Sequence, residues 1–155
     1  MRGNDQMIAT LNKLLAEELT AINQYMVHSE MCDAWGYEKL HKAIEKTAID
    51  EMKHAEKLIG RVLFLEGTPT VTKLNPVNIG KDVTAMIAND LAAEGSAVPA
   101  YNAAILQAGE VKDAGTRVLL QEILVDEERH ADWLEAQRDQ IAQMGLQNYL
   151  ALQVA

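Results

Sequence analysis

Few folds suit a chain that sets four glutamates and two histidines into its own apolar stripes, twice over and in the same order. Glu18 is followed 33 residues later by Glu51-x-x-His54, and Glu94 is followed 33 residues later by Glu127-x-x-His130. Each falls at a position that the surrounding helical periodicity assigns to a core. Glu18 lies among Ile8, Leu11, Leu15, Ile22 and Tyr25, and Glu51 and His54 lie among Leu40, Ile44, Ala48, Leu58, Val62 and Leu65. An unpaired buried carboxylate is costly, and four that converge would be worse. Residues three apart share a helix face, so each Glu-x-x-His aims a carboxylate and an imidazole at one point, and the lone glutamate adds a ligand from a neighbouring helix. Two divalent cations balance four carboxylates, and two neutral imidazoles complete the coordination.

The rest of the chain agrees with helices around such a centre. Its 155 residues suffice for one domain, residues 1–155, with a sizeable core. With only 3 prolines and 5% aromatics, a composition rich in Ala, Leu, Ile, Glu and Gln favours an all-α fold. The spacing predicts a first helix over about Gln6 to Asp33, a turn at Asp33-Ala34-Trp35-Gly36, and a second helix that stops at Gly67. Pro69, Pro76 and several β-branched residues make 67–80 an extended connection. A third helix starts after Asp82 as N-cap and runs to Gly109, a fourth covers about Val111 to Met144, and Leu146 to Gln153 forms a short fifth. Fourteen extended residues span about 46 Å at ~3.3 Å each, and a helix of about 30 residues is ~45 Å long. The connection can therefore traverse the bundle, which makes helices two and three parallel and gives a four-helix bundle with one long crossover. A shift of 76 residues superposes Leu15 on Leu91, Tyr25 on Tyr101, Asp50 on Asp126 and Leu58 on Leu134, which points to halves related by a pseudo-twofold axis.

Carboxylate and imidazole ligands suit iron, manganese or zinc, and the single Cys32 excludes a thiolate cluster within the chain. In helix bundles that hold two iron or manganese ions, the ligands are a Glu from each of two helices and Glu-x-x-His from the other two. By that rule Glu51 and Glu127 bridge the metals, Glu18 and Glu94 are terminal ligands, and His54 and His130 bind one metal each. Asp50 and Asp126 are candidates to accept the free imidazole N–H, including that of the opposite motif. Tyr25 and Tyr101, seven residues beyond Glu18 and Glu94, could hydrogen-bond a ligand carboxylate or supply an electron; ordinary core packing is the alternative. Pro99 should bend the third helix. A net charge of −9 argues against nucleic acid as a partner, no apolar run approaches membrane-spanning length, and the polar start with one cysteine suits a reducing cytoplasm.

At this point the sequence resembles a bacterioferritin along essentially its whole length. The resemblance rests on Leu14-Leu15-x-x-Glu18-Leu19-x-Ala21-Ile22-Asn23-Gln24-Tyr25, Ile49-Asp50-Glu51-Met52-Lys53-His54-Ala55 and Arg61-Val62-Leu63-Phe64-Leu65-Glu66-Gly67. Asp126-Glu127-Glu128-x-His130 and Met144-Gly145-Leu146-Gln147-Asn148-Tyr149-Leu150 complete it. It implies a ferritin-like bundle in a hollow homo-oligomeric shell of twenty-four subunits built from twofold dimers. Each bundle would act as a ferroxidase on Fe²⁺ with O₂ or H₂O₂ at a di-iron centre, and the ferric product would be stored as mineral. The resemblance also implies one haem b shared between two subunits through Met52 of each, and reductive iron release through a bacterioferritin-associated ferredoxin. Met52 is turned about 100° from Glu51, out of the bundle with Ile49, Ala55 and Ile59. Leu19, Ile22, Asn23, Met26, Ile49, Lys53 and Ile59 would line the haem pocket. Two positions depart from relatives: Glu45 stands where many carry an aromatic in the haem pocket wall, and Lys46 where some carry a histidine that joins Asp50 in an inner-surface iron site. Competing readings are another di-metal enzyme on the same bundle, rubrerythrin-like or a ribonucleotide reductase subunit, and a haem-storing or structural shell subunit with little turnover.

Overall fold

Residues 1–155 of the computed structural model form five helices and no strand: α1 (Asp5–Ala34), α2 (Glu38–Phe64), α3 (Val83–Glu110), α4 (Ala114–Met144) and α5 (Leu146–Ala151). Three of them start on a side chain that accepts an otherwise orphaned backbone N–H. Asn4 accepts from Met7 at 3.0 Å, Asp82 from Ala85 at 2.8 Å and Asp113 from Thr116 at 3.0 Å. The fourth helix therefore begins three residues later than Val111, the expected start. Lys112 has φ 60°, a left-handed backbone that no helix can continue through, so Val111 caps α3 instead of opening α4.

The ends of α1, α2 and α3 share one device. In each, two successive N–H groups turn back to carbonyls of the last turn, as in Glu66 to Leu63 (3.0 Å) with Gly67 to Val62 (2.9 Å), and Lys112 to Gly109 (3.1 Å) with Asp113 to Ala108 (2.8 Å). The left-handed residue is Gly36 after α1, but Glu66 after α2 and Lys112 after α3. Gly67 is therefore not the cap that ends α2. It is glycine because a Cβ there would stand 2.7 Å from Ile8 Cγ2 and 3.0 Å from Val62 Cγ1.

Contacts between the helices and their ends fix the topology. Gly3 meets Leu65 while Ser29 meets His41, so α1 and α2 are antiparallel. Thr10 meets Gln107 and His28 meets Asp90, so α1 and α3 are antiparallel. Arg61 meets Asp113 while Asp50 meets His130, so α2 and α4 are antiparallel. It follows that α2 and α3 are parallel, joined by a crossover over 65–82 that runs the length of the bundle. The crossover is fastened along α1: Thr70 N–H donates to Asn12, Asn75 N–H to the Thr20 hydroxyl, Asn78 N–H to Gln24 and Gly80 N–H to His28 Nε2, at 2.8 to 3.0 Å. Pro99 lies exposed on α3, which continues unbroken on both sides of it.

Two apolar clusters fill the interior. One holds Met7, Leu11, Leu58, Val62, Tyr101 and Leu120; the other holds Tyr25, Leu40, Ile44, Met86, Leu134 and Tyr149, the last brought in by α5 with its hydroxyl donating to Gln137 at 2.7 Å. Truncating one of these buried leucines to alanine should cost about 2–5 kcal/mol. Between the clusters lies a layer of charged groups.

Candidate metal centre

Glu18, Glu51, His54, Glu94, Glu127 and His130 all converge in that layer, and none is more than 5% exposed. Their ligand atoms form two overlapping groups that share Glu51 and Glu127: Glu18, Glu51, His54 and Glu127 in one, and Glu51, Glu94, Glu127 and His130 in the other. His54 Nδ1 lies 3.0 Å from Glu127 Oε1, 3.4 Å from Glu51 Oε1 and 3.7 Å from Glu18 Oε2. His130 Nδ1 lies 3.1 Å from Glu51 Oε1, 3.5 Å from Glu94 Oε1 and 3.8 Å from Glu127 Oε1. A tetrahedral ion with bonds of about 2.1 Å holds its ligand atoms roughly 3.4 Å apart, so these are the separations of a coordination shell. The two imidazole centroids are 6.1 Å apart.

The polar accounting of this layer is incomplete without cations. Glu18 Oε2, Glu51 Oε1, His54 Nδ1, Glu94 Oε2, Glu127 Oε1 and His130 Nδ1 are each buried with no hydrogen-bond partner. That is one atom from each of the six residues, in a molecule whose other buried polar groups are nearly all paired. The donor set fits two metal ions.

Everything behind those atoms is fixed by crossed contacts between the halves. His54 Nε2–H donates to Asp126 at 2.8 Å and His130 Nε2–H to Asp50 at 3.1 Å, which leaves both Nδ1 atoms facing inward. Each aspartate thus orients the imidazole of the other motif, and Arg129 bridges behind them, 2.7 Å from Asp126 and 3.8 Å from Asp50. The tyrosines cross over likewise: Tyr25 donates to Glu94 at 2.5 Å and Tyr101 donates to Glu18.

Protonation follows from burial. Loss of solvent, then the Glu18 carboxylate, pushes the Glu51 carboxyl well above its usual range. Burial pushes Glu127 up to about 12, against the pull of His54, with Glu18, Glu51 and Glu94 adding to it. Burial would lower both imidazoles, yet Glu127, Glu18 and Glu51 outweigh it at His54, and Glu94 and Glu127 do so at His130, so both stand raised. Tyr25 and Tyr101 are raised by burial and by the carboxylates they bind, which keeps them hydrogen-bond donors. Without metal, the centre holds its charge down by keeping protons.

One polar group escapes the periodicity of the sequence. Asp90, one turn before Glu94 and fully buried, accepts from Gln24 at 2.8 Å and from His28 Nδ1–H at 2.9 Å. Gln24 and His28 are the residues that also hold Asn78 and Gly80, so this network ties the crossover to the helix that carries Glu94. The even spacing Thr20, Gln24, His28 was its only signal in the sequence. Glu18 is also one wall of a polar cleft of about 270 Å³ between α1, α3 and the crossover, which Glu17, Gln24, Asn75 and Asn78 line.

On the outer face of α1 and α2, Met52 is 46% exposed. It adjoins a cavity of about 140 Å³ that Ile22, Met26, Ala48 and Ile49 line, with Ser29, Glu30 and Glu45 at its edge. Leu19, Asn23, Lys53 and Ile59 are not part of that lining: Asn23 and Lys53 are exposed, and Leu19 and Ile59 pack against the first core cluster. Ala55, expected to face outward with Met52, is instead buried in that cluster. It lies about 40° from Glu51 around the helix, against 100° for Met52, and so turns with the ligands.

A family model described as Ferritin-like domain matches residues 8–144. The chain is 43% identical over 152 residues to a bacterial ferritin of Paramagnetospirillum magnetotacticum, covering 97% of this chain and 93% of that one. It is 42% identical over 156 residues to a bacterial ferritin of Synechocystis sp., covering the whole of both, and 39% identical over 155 residues to a bacterioferritin of Rhodobacter capsulatus, covering 100% of this chain and 96% of that one.

Proposed function

This chain belongs to the ferritin-like family and, within it, to the bacterioferritins, and from that premise we propose that it stores iron by oxidising Fe²⁺ at the centre formed by Glu18, Glu51, His54, Glu94, Glu127 and His130. The observation that carries this reading is the set of six buried, unpartnered ligand atoms, one on each of these residues. Fe²⁺ is written as substrate. With O₂, two Fe²⁺ and two protons give two Fe³⁺ and H₂O₂; with H₂O₂, two Fe²⁺ and two protons give two Fe³⁺ and two waters.

The residues divide the work. Glu51 and Glu127, common to both ligand groups, bridge, while Glu18 and Glu94 close the ends and carry an ordering hydrogen bond from Tyr101 and Tyr25. Asp126 and Asp50 keep the imidazoles in the tautomer that leaves Nδ1 free. The protons held by Glu51 and Glu127 leave as Fe²⁺ enters. The phenols of Tyr25 and Tyr101 donate to ligand oxygens of Glu94 and Glu18, which holds those two carboxylates in place at the ends of the centre.

Storage requires an enclosed cavity, and we assign the chain to a twenty-four-subunit homo-oligomeric shell of twofold dimers. Met52, exposed beside an apolar cavity, would with the same residue of a second subunit hold one haem b through its soft thioether sulfur. That group would supply one-electron redox chemistry for reductive iron release, with a ferredoxin as the partner. No helix is long and apolar enough to cross a membrane, and a cytoplasmic location accords with the rest of this reading.

The test is an anaerobic Fe²⁺ titration of metal-free protein, followed by oxygen, with the ferric–oxo absorbance recorded. Saturation near two irons per chain and fast oxidation that Glu51→Ala with Glu127→Ala abolishes would support the reading. Oxidation no faster than in buffer would leave a haem-binding or structural shell. Met52→Leu should lose the haem absorption and keep the oxidation.

A further inference from the structure

On the reading of the buried centre as a metal site, we propose that the polar cleft between α1, α3 and the crossover is the way a divalent cation reaches that centre, with Glu17 as the carboxylate that receives it. Seven buried side-chain atoms in the molecule have no hydrogen-bond partner. Six belong to the ligands of the centre. The seventh is Oε2 of Glu17, a residue that lines the cleft beside Glu18.

The walls of the cleft leave Glu17 little to bind. The Thr20 hydroxyl donates to the Ala16 carbonyl at 2.7 Å and accepts from Asn75 N–H, while Gln24 gives its amide to Asp90 and takes Asn78 N–H on its carbonyl. The Asn89 amide donates to the Asn78 carbonyl at 3.1 Å. No lysine, arginine or histidine lines the cleft, and Lys13, one turn before Glu17, does not reach this oxygen. A carboxylate oxygen held out of solvent with no donor is costly, and a cation beside it removes that cost. Glu18 supplies a second, independent mark of a ligand. It is 2% exposed, its Oε2 is unpartnered, and of the six ligands of the centre it alone lines the cleft. A cation that leaves Glu17 inward therefore meets a ligand of the centre next.

The approach is one-sided. The 76-residue shift that superposes Glu18 on Glu94 also superposes Thr20 on Ser96 and Ala21 on Ala97, but it sets Glu17 on Ala93. Glu17 and Ala93 both line the cleft, so the pseudo-twofold is broken there, with a carboxylate on α1 and a methyl on α3. Small side chains at Ala21, Ala92, Ala93 and Ala97 leave the space between the two helices open. Behind the imidazoles the charge is reversed. Arg129 sits 2.7 Å from Asp126, and its guanidinium repels a cation that comes from that side. A cleft lined by one sign of charge concentrates its counter-ion and raises association rates by about 10- to 1000-fold.

The experiment mixes metal-free protein with excess Co²⁺ in a stopped-flow instrument and follows the visible absorption of the bound ion, then measures its release into excess chelator and the equilibrium stoichiometry. Glu17→Gln should lower the second-order rate constant for binding by about fivefold or more. Release should slow by the same factor, because the way in is also the way out, so two Co²⁺ per chain still bind with unchanged affinity. Glu17→Asp should restore most of the rate. Glu128→Gln removes the same charge beside the ligand Glu127, on an exposed residue outside the cleft, and should leave both rates unchanged. Unaltered rates in Glu17→Gln would overturn the proposal and leave Glu17 a hydrated carboxylate. Equal slowing in Glu128→Gln would overturn it in favour of attraction by the net charge at large, and a loss of affinity or stoichiometry in Glu17→Gln in favour of a structural role. If the unaltered protein holds no Co²⁺ that Glu51→Gln with Glu127→Gln removes, the centre itself is refuted and its entrance with it; the other outcomes leave the centre standing.

Discussion

Removing the carboxylate behind one imidazole should damage one of the two metal positions and largely spare the other. In Asp126→Ala the His54 Nε2–H loses its 2.8 Å acceptor, so the ring no longer favours the tautomer and rotamer that hold Nδ1 toward Glu127 and Glu51. Loss of such an outer partner costs about 10- to 100-fold in metal affinity, or about 1.4–2.8 kcal/mol. That cost belongs to the position of Glu18, Glu51, His54 and Glu127. In Asp50→Ala the same loss falls on the position of Glu51, Glu94, Glu127 and His130, and should be the smaller because that bond is 3.1 Å. Co²⁺ titration by calorimetry, fitted to two unequal positions, reads this directly. The wild-type protein should show two tight positions, and each variant one tight and one weakened. Equal weakening of both in Asp126→Ala, or no weakening in either variant, would refute the crossed assignment of aspartates to imidazoles.

Three further outcomes follow from the same contacts. Burial keeps a proton on Glu127 in the folded metal-free chain well above the pH at which an unfolded carboxyl releases it, and His54 and His130 are raised in the same sense. Metal-free protein should therefore lose stability as pH rises from 6 to 8, by up to about 1.4 kcal/mol per pH unit for each such proton; urea melts check this, and saturating Zn²⁺ should flatten or reverse the slope. Tyr101→Phe removes the donor to the buried Glu18 carboxylate and should cost about 1.5–3 kcal/mol in the metal-loaded protein, with slower Fe²⁺ oxidation measured by stopped flow. His28→Ala strips the buried Asp90 of one partner and Gly80 N–H of its acceptor, which should destabilise by about 2–5 kcal/mol, at roughly 1–3 kcal/mol for each orphaned group, and raise hydrogen exchange across 75–82 before the rest of the bundle.

Much of this architecture was legible because a repeated ligand set can be satisfied in only one arrangement. Helix number, the crossover, the converging six residues and the aspartates behind the imidazoles all follow from spacing. The grip of α1 on the crossover was not legible. Thr20, Gln24 and His28 are polar at one-turn spacing, which looks the same whether they face water or a strand of backbone, and only the folded chain shows that they take up the N–H groups of Asn75, Asn78 and Gly80. Helix ends are obscured for a related reason. The second helix stops just short of Gly67, but the residue that turns the chain is Glu66, while Gly67 answers to Ile8 packed against it. Ala55 does not follow Met52 outward on α2, because a residue three positions on has already turned back toward Glu51.

Neither half of the molecule contains a whole metal position. The first draws Glu127 and the Asp126 support of His54 from the second half, and the second draws Glu51 and the Asp50 support of His130 from the first. A hairpin of α1 and α2 alone would have to find another hairpin before it could hold a single ion, so its occupancy would depend on how dilute it was. The crossover turns that encounter into an event within one chain, at an effective concentration on the order of millimolar. The same reciprocity makes the halves poor candidates for independent variation: a change to Asp126 is felt at His54, and one to Tyr25 at Glu94, so a substitution in either hairpin is answered only by a matching one in the other.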